Sequence, residues 1–207
     1  MRKRREWYEG ARYHLMGRGT RRSAIFREEE DYGIFMMILV KAMEKYPFDL
    51  HAYCLMTNHF HLEITTYTDP IWMIMRMLMH HYAMTFNRKY GIGGHLFDSR
   101  YTSCLIADDI YFLEVSRYIH LNPVRAQMVR EPQGYRYSSY SRYVADDVSA
   151  MGSFFASGPL ETDAVLKMFQ GCSREQYRMF VEGKISHAEQ EALIMKDMGE
   201  NELWLPG

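Results

Sequence analysis

The chain has 207 residues, 47% of them apolar and 25% charged, with a net charge of −1. That balance excludes an extensively disordered chain, and the length suits one domain with an appendage or at most two small domains. The longest unbroken apolar run, Ile34 to Val40, has seven residues, far short of the ~18 that a membrane-spanning helix needs.

The basic N-terminus, MRKRREWYEG, is not followed by a signal-peptide apolar stretch, which argues against export. Three cysteines (Cys54, Cys104, Cys172) stand far apart with no CxxC spacing. They fit a reducing compartment and argue against a disulfide framework or a cysteine zinc site. The charge is unevenly spread: residues 1–142 sum to +5 and residues 143–207 to −6. A basic body with an acidic tail suits a polyanion-binding domain, 1–149, followed by an acidic, partly helical appendage, 150–207, expected to pack weakly.

In chain order, Ala11–Met16 predicts a strand, followed by the basic turn GRGTRR. Glu28–Tyr46 has apolar residues at the helical period and stops at Pro47. Phe48–Met56 alternates, which places Phe48, Leu50, Ala52, Cys54 and Met56 on one face. Thr57-Asn58 supplies a tight turn, and His59–Thr65 alternates again. Ile71–Tyr90 predicts a methionine-rich helix ended by Gly91, with Arg76, His80, Asn87 and Arg88 sharing a more polar side. Arg100–Ile106 predicts a fourth strand. Asp108-Asp109 offers an N-cap for a helix from about Ile110 that Pro123 breaks. Short helices are expected near Thr162–Phe169 and Ser173–Glu182. The first six elements predict an α+β fold of ferredoxin-like βαββαβ order, an antiparallel sheet with two helices on one face. The helix at 110–122 is then available to cover the other face.

On the third strand, NHFHLEITT, Phe60, Leu62 and Ile64 point into the helix-covered core, so His59, His61 and Glu63 point to the opposite face. Two imidazoles two residues apart on a rigid strand can converge on one metal ion. HxH alone is weak evidence, because nine histidines in this chain make such a pair easy to obtain by chance. In the covering helix, Tyr111, Glu114, Tyr118 and Asn122 recur at helical spacing and share a side, so a phenol and an amide would arrive beside the histidines. The orientation of His14 on the first strand is left open, and Asn58 can position either backbone or substrate. His80, His81, His95 and His120 form no second metal-ligand spacing and read as surface or structural residues.

NHFHLE, GHLFDSRY, SRYIHLNPVRA and GYRYSSY together resemble the single-tyrosine transposases that carry a His–hydrophobic–His motif, most of all the REP-associated tyrosine transposases. The resemblance runs from about Trp7 to Tyr143, and FQGCSREQYRMFVEGKI is similar to the tail of that branch. It implies that His59 and His61 bind a divalent cation, Mg2+ or Mn2+, with Asn122 as the third ligand and Glu63 as its rival. Manganese is the better match to two imidazoles and an amide. The resemblance further implies that Tyr118 is the nucleophile, attacking single-stranded DNA beside a hairpin to form a 5′-phosphotyrosine. Phosphate contacts are expected from Arg4, Arg5, Arg18, Arg21, Arg22, Arg100 and Arg117. The protein would work in the cytoplasm at the nucleoid, as a monomer or as a homodimer with Tyr118 acting in cis or across the pair. Two other readings fit parts of the pattern: a hairpin-binding protein without turnover, and a zinc hydrolase that lacks a convincing third ligand and base.

Overall fold

A computed structural model describes residues 6–145 and 153–183. Four strands form the sheet: β1 (Arg12–Arg18), β2 (Phe48–Met56), β3 (His59–Thr66) and β4 (Thr102–Ile106). Their order is β2-β3-β1-β4 with every pair antiparallel, so β1 and β3 lie side by side at the centre, as the ferredoxin-like order requires. Two long helices, α1 (Glu29–Lys45) and α2 (Ile71–Tyr90), cover one face, and α3 (Asp109–Arg125) covers the other.

Period-two alternation divides the strands between two cores. Tyr13, Leu15, Phe60, Leu62 and Ile64 pack under α1 and α2 with Phe35, Leu39 and Leu78. The second core joins Phe112, Val115 and Ile119 of α3 to the opposite face. Strand β2 departs from the expected single-faced alternation. Phe48 and Leu50 belong to the first core, whereas Ala52, Cys54 and Met56 belong to the second. The cause is a β-bulge: Leu50 pairs with Ile64 and Ala52 with Glu63, so β2 advances two residues while β3 advances one. The extra residue, His51, reverses which side chains face inward from there on.

Two further expectations change. Pro123 does not end α3, which continues to Arg125. A proline this close to a helix C-terminus forfeits one backbone donor, and the following turn closes around it with Ala126 N–H donating to Asn122 O and Met128 N–H to Pro123 O. The described part of the C-terminal segment also packs firmly. Helices α6 (Asp163–Leu166) and α7 (Arg174–Glu182) bury Val165, Tyr177 and Val181 in the second core, beside Tyr140 and Tyr143 of α4 (Tyr140–Val144). The short α5 (Ser153–Ser157) adds Phe155 to the first. Acidic composition therefore hid an apolar stripe at helical spacing, Tyr177 and Val181, that holds α7 against α3 and α4.

The GYRYSSY segment seals the free edge of β2. Ser139 N–H donates to Tyr53 O, Leu55 N–H to Tyr137 O and the Tyr135 hydroxyl to Leu55 O, and beyond the segment the Tyr143 hydroxyl of α4 donates to His51 O. An edge so occupied offers no template for pairing with another chain.

Candidate active site between the sheet and α3

His59 and His61 open β3 next to the hairpin turn, and the alternation that buries Phe60 turns both imidazoles toward α3. Their rings lie 5.0 Å apart, centroid to centroid. Tyr118 meets His61 edge-on at 5.6 Å and His14 at 5.7 Å. His14 is thereby resolved: it points to this face, and its Nε2 lies 3.0 Å from His61 Nδ1. The ring centroids are 5.2 Å apart with planes inclined by only 27°, so the two nitrogens meet nearly head-on, the geometry of one shared N–H. Asn58 Oδ1 accepts from His59 Nδ1 at 2.6 Å, which answers the question left at the turn: Asn58 orients an imidazole. In both candidate ligands Nδ1 is engaged.

Burial sets their charge. It lowers His59 to about 4, helped by the Arg18 cation, and His14 to about 3. His61 falls well below the usual range through burial, then through His59, His14 and Arg125. All three rings are neutral at physiological pH, the state in which imidazole offers a lone pair. Among the described residues no three His, Cys, Asp or Glu side chains group as a metal site. Asn122, the expected third ligand, is buried one turn beyond Tyr118, and its Nδ2 donates to Tyr118 O at 2.9 Å, which commits the amide nitrogen. Glu63 shares the face and stands opposite His14 in the β1–β3 register. Its carboxyl is fully buried, neither oxygen has a hydrogen bond, and its charged and phenolic neighbours are Arg12, Tyr143 and Tyr177. Burial pushes it well up, toward the neutral acid.

The arginines separate into groups. Arg21 and Arg22 are exposed with positive φ, 55° and 59°, a conformation costing of order 1 kcal/mol each. The loop is held there by Gly19 N–H donating to Asn58 O and by Asn58 Nδ2 donating to Arg22 O. Only glycine fits at position 19, where a Cβ would stand 2.1 Å from Ser23 O. Arg18 pairs with Asp98 at 2.9 Å, directly across from His59 in the β1–β3 register. Arg100 is exposed. Arg117 is a correction. It is 1% exposed, donates to Gly183 O and lies over the Phe180 ring, so it anchors α7 and reaches no phosphate. Arg4 and Arg5 lie outside the described residues.

One cation was missed by the sequence reading. The Arg125 guanidinium lies 4.9 Å over the Tyr118 ring. Its i, i+7 spacing from Tyr118 was legible, but only in a helix that survives Pro123.

The family described as "Transposase IS200 like" matches residues 8–122, more than half of the chain. The protein belongs to the IS200-like transposase family. Its fold is also that of a REP-associated tyrosine transposase solved bound to a REP hairpin, at TM-score 0.60 and 19% identity over 78% of this chain and 93% of that one. A putative transposase from Deinococcus radiodurans R1 aligns at TM-score 0.41 and 20% identity, over 62% of this chain and 92% of that one. No curated protein matches the sequence. Among the described residues no helix is long and apolar enough to cross a membrane.

Proposed function

We propose that this family member is a single-tyrosine transposase of the REP-associated type, which cleaves and rejoins single-stranded DNA beside hairpins at the nucleoid. The observation that carries the reading is the Tyr118 phenol held against His61 under α3. His59, His61 and Asn122 fit a divalent cation, Mg2+ or Mn2+: two neutral imidazoles with their Nδ1 atoms engaged, and an amide whose nitrogen is already committed. A cation there supplies Lewis-acid polarisation of a phosphate oxygen.

The remaining chemistry belongs to the chain. Tyr118 Oη attacks phosphorus in line; an O–P bond forms to the phenol and the P–O3′ bond breaks. The phenolic proton is released and the departing 3′-oxygen gains one, so the exchange is neutral in protons and in bond count. Because the phosphodiester energy is kept in the 5′-phosphotyrosine, a second 3′-hydroxyl can reverse the step and join a new strand. Burial under α3 excludes water, which favours strand transfer over hydrolysis. The exposure of Arg21 and Arg22 beside the β2–β3 turn supports assigning them to the DNA backbone.

Incubation with hairpin-bearing single-stranded DNA and Mn2+ should trap a covalent adduct on denaturing gels. The adduct should vanish in Tyr118→Phe and in EDTA. An adduct that survives Tyr118→Phe removes the nucleophile assignment, and tight hairpin binding without cleavage in any metal removes the enzyme.

A further inference from the structure

On the other side of the sheet, α2 and residues 94–101 line a groove of about 620 Å³, within the ~300–1,000 Å³ range of small-molecule sites. Met75, Met79 and Leu96 contribute apolar lining. Trp72, Arg76 and His80 follow one another at single-turn spacing along α2, and Arg100 stands on the opposing loop. Trp72 is 51% exposed, an unusual placement for an indole with no assigned role. The polar side of α2 seen in the sequence is thus one wall of a groove.

The groove is built in advance. Asn87 Nδ2 donates to Gly94 O, Thr20 donates through its backbone N–H to Leu96 O and through Oγ1 to His95 O, and Gly19 bridges to Phe97. Its acidic lining residue, Asp98, is neutralised by Arg18, the residue across from His59. The same loop therefore ties the groove to the histidine end of β3.

We propose that this groove binds an unpaired stretch of the DNA strand flanking the hairpin, with a base stacked on Trp72 and backbone phosphates met by Arg76 and Arg100. The proposal rests on the functional reading above and extends it to the single-stranded flank. Two arginines beside the opening select a polyanion over an apolar peptide. The exposed indole selects a base over a bare phosphate, and duplex is disfavoured because paired bases keep their faces stacked on one another. Preorganisation by the loop contacts lowers the ordering cost of binding.

The test measures polarisation of labelled hairpins that are blunt or carry a short thymidine tail, with the full-length protein in EDTA. Wild type should prefer the tailed hairpin. Trp72→Ala should weaken the tailed complex by about 10-fold and leave the blunt one within about 2-fold. Replacing the tail by abasic residues should erase the difference between wild type and Trp72→Ala. The double variant Arg76→Gln/Arg100→Gln should lower the salt slope for the tailed hairpin by about 1.4, two single-strand phosphate contacts. All three side chains are exposed, so these variants should keep the wild-type circular dichroism. Equal loss on tailed and blunt hairpins, or no loss on either, overturns the groove assignment alone. A wild type that binds neither hairpin overturns both this inference and the functional reading.

Discussion

Under α1 and α2 the central strands present Tyr13, Leu15, Phe60, Leu62 and Ile64; under α3 the alternate residues of the same strands are His14, His61 and Glu63. Both faces are buried, but they carry opposite energetic signs. Each large apolar side chain on the first contributes about 1.5–3 kcal/mol. On the second, every imidazole must stay neutral, and Glu63 is buried without a hydrogen bond, at a cost of a few kcal/mol. The first face thus provides the stability on which the second can hold reactive groups dry and oriented.

Substituting neighbours on β3 should separate the two faces most sharply. Phe60→Ala removes a fully buried ring that lies against Gly17, where a Cβ would approach it to 2.5 Å. It should cost about 3–5 kcal/mol, read as a fall in the urea midpoint. His61→Ala should change stability far less and abolish the DNA adduct. If the two variants behave alike, the division of labour is wrong. On α3, Arg125→Gln should slow adduct formation about 100-fold by removing a cation beside the attacked phosphate, while hairpin affinity stays within about 3-fold and Arg125→Lys recovers part of the rate. A scissile methylphosphonate, which is uncharged, should narrow the gap between wild type and Arg125→Gln; an equal gap on both linkages makes Arg125 a structural residue.

What the sequence made legible follows the same division. Strict alternation on β3 and the helical apolar period on α1 assigned those elements, and the first also gave the outward sense of His59 and His61, because a period survives whatever lies next to it. The parity of β2 was not legible, because a bulge at His51 is set by the pairing partner. His14 was ambiguous for a related reason: a short strand flanked by apolar residues on both sides gives alternation no face to prefer. Arg125 was hidden by the local rule that proline ends a helix, and Arg117 misled because its charge reads as surface while Phe180 and Gly183, which bury it, lie more than sixty residues away.

A smaller effect should come from the residues that orient the histidines. His14→Leu removes the partner of His61 Nδ1, and Mn2+ affinity without DNA should fall by about 10–100-fold. His14→Gln, whose carbonyl can accept the same N–H, should recover most of it; equal affinities in all three proteins leave His14 with packing alone. The buried imidazoles also fix an acid limit. His14 and His120 lie at about 3 and His59 at about 4 when folded, against ~6.5 unfolded. The unfolded chain therefore binds more protons between those values, so stability is complete above about pH 6.5 and falls as the pH drops toward 4. Each such imidazole contributes a slope of up to about 1.4 kcal/mol per pH unit. Urea unfolding in EDTA at pH 7, 6 and 5 should show the decline, and a flat profile would mean these rings are not held neutral.

The smallest expected change concerns Glu63. Replacing it by Gln keeps the shape and removes an ionisable group that burial already forces toward neutrality. On folding, the wild-type carboxylate must take up a proton at neutral pH, and the amide need not. The buried amide carries a desolvation cost of its own, so Glu63→Gln should raise stability only slightly at pH 7, and the gain should shrink as the pH falls toward the carboxyl's unfolded value of ~4.3. Mn2+ affinity should be unchanged, because Asn122 and not Glu63 is the proposed third ligand. Lost cation affinity in Glu63→Gln, with none lost in Asn122→Ala, would exchange the two as third ligand and move the cation deeper under α3.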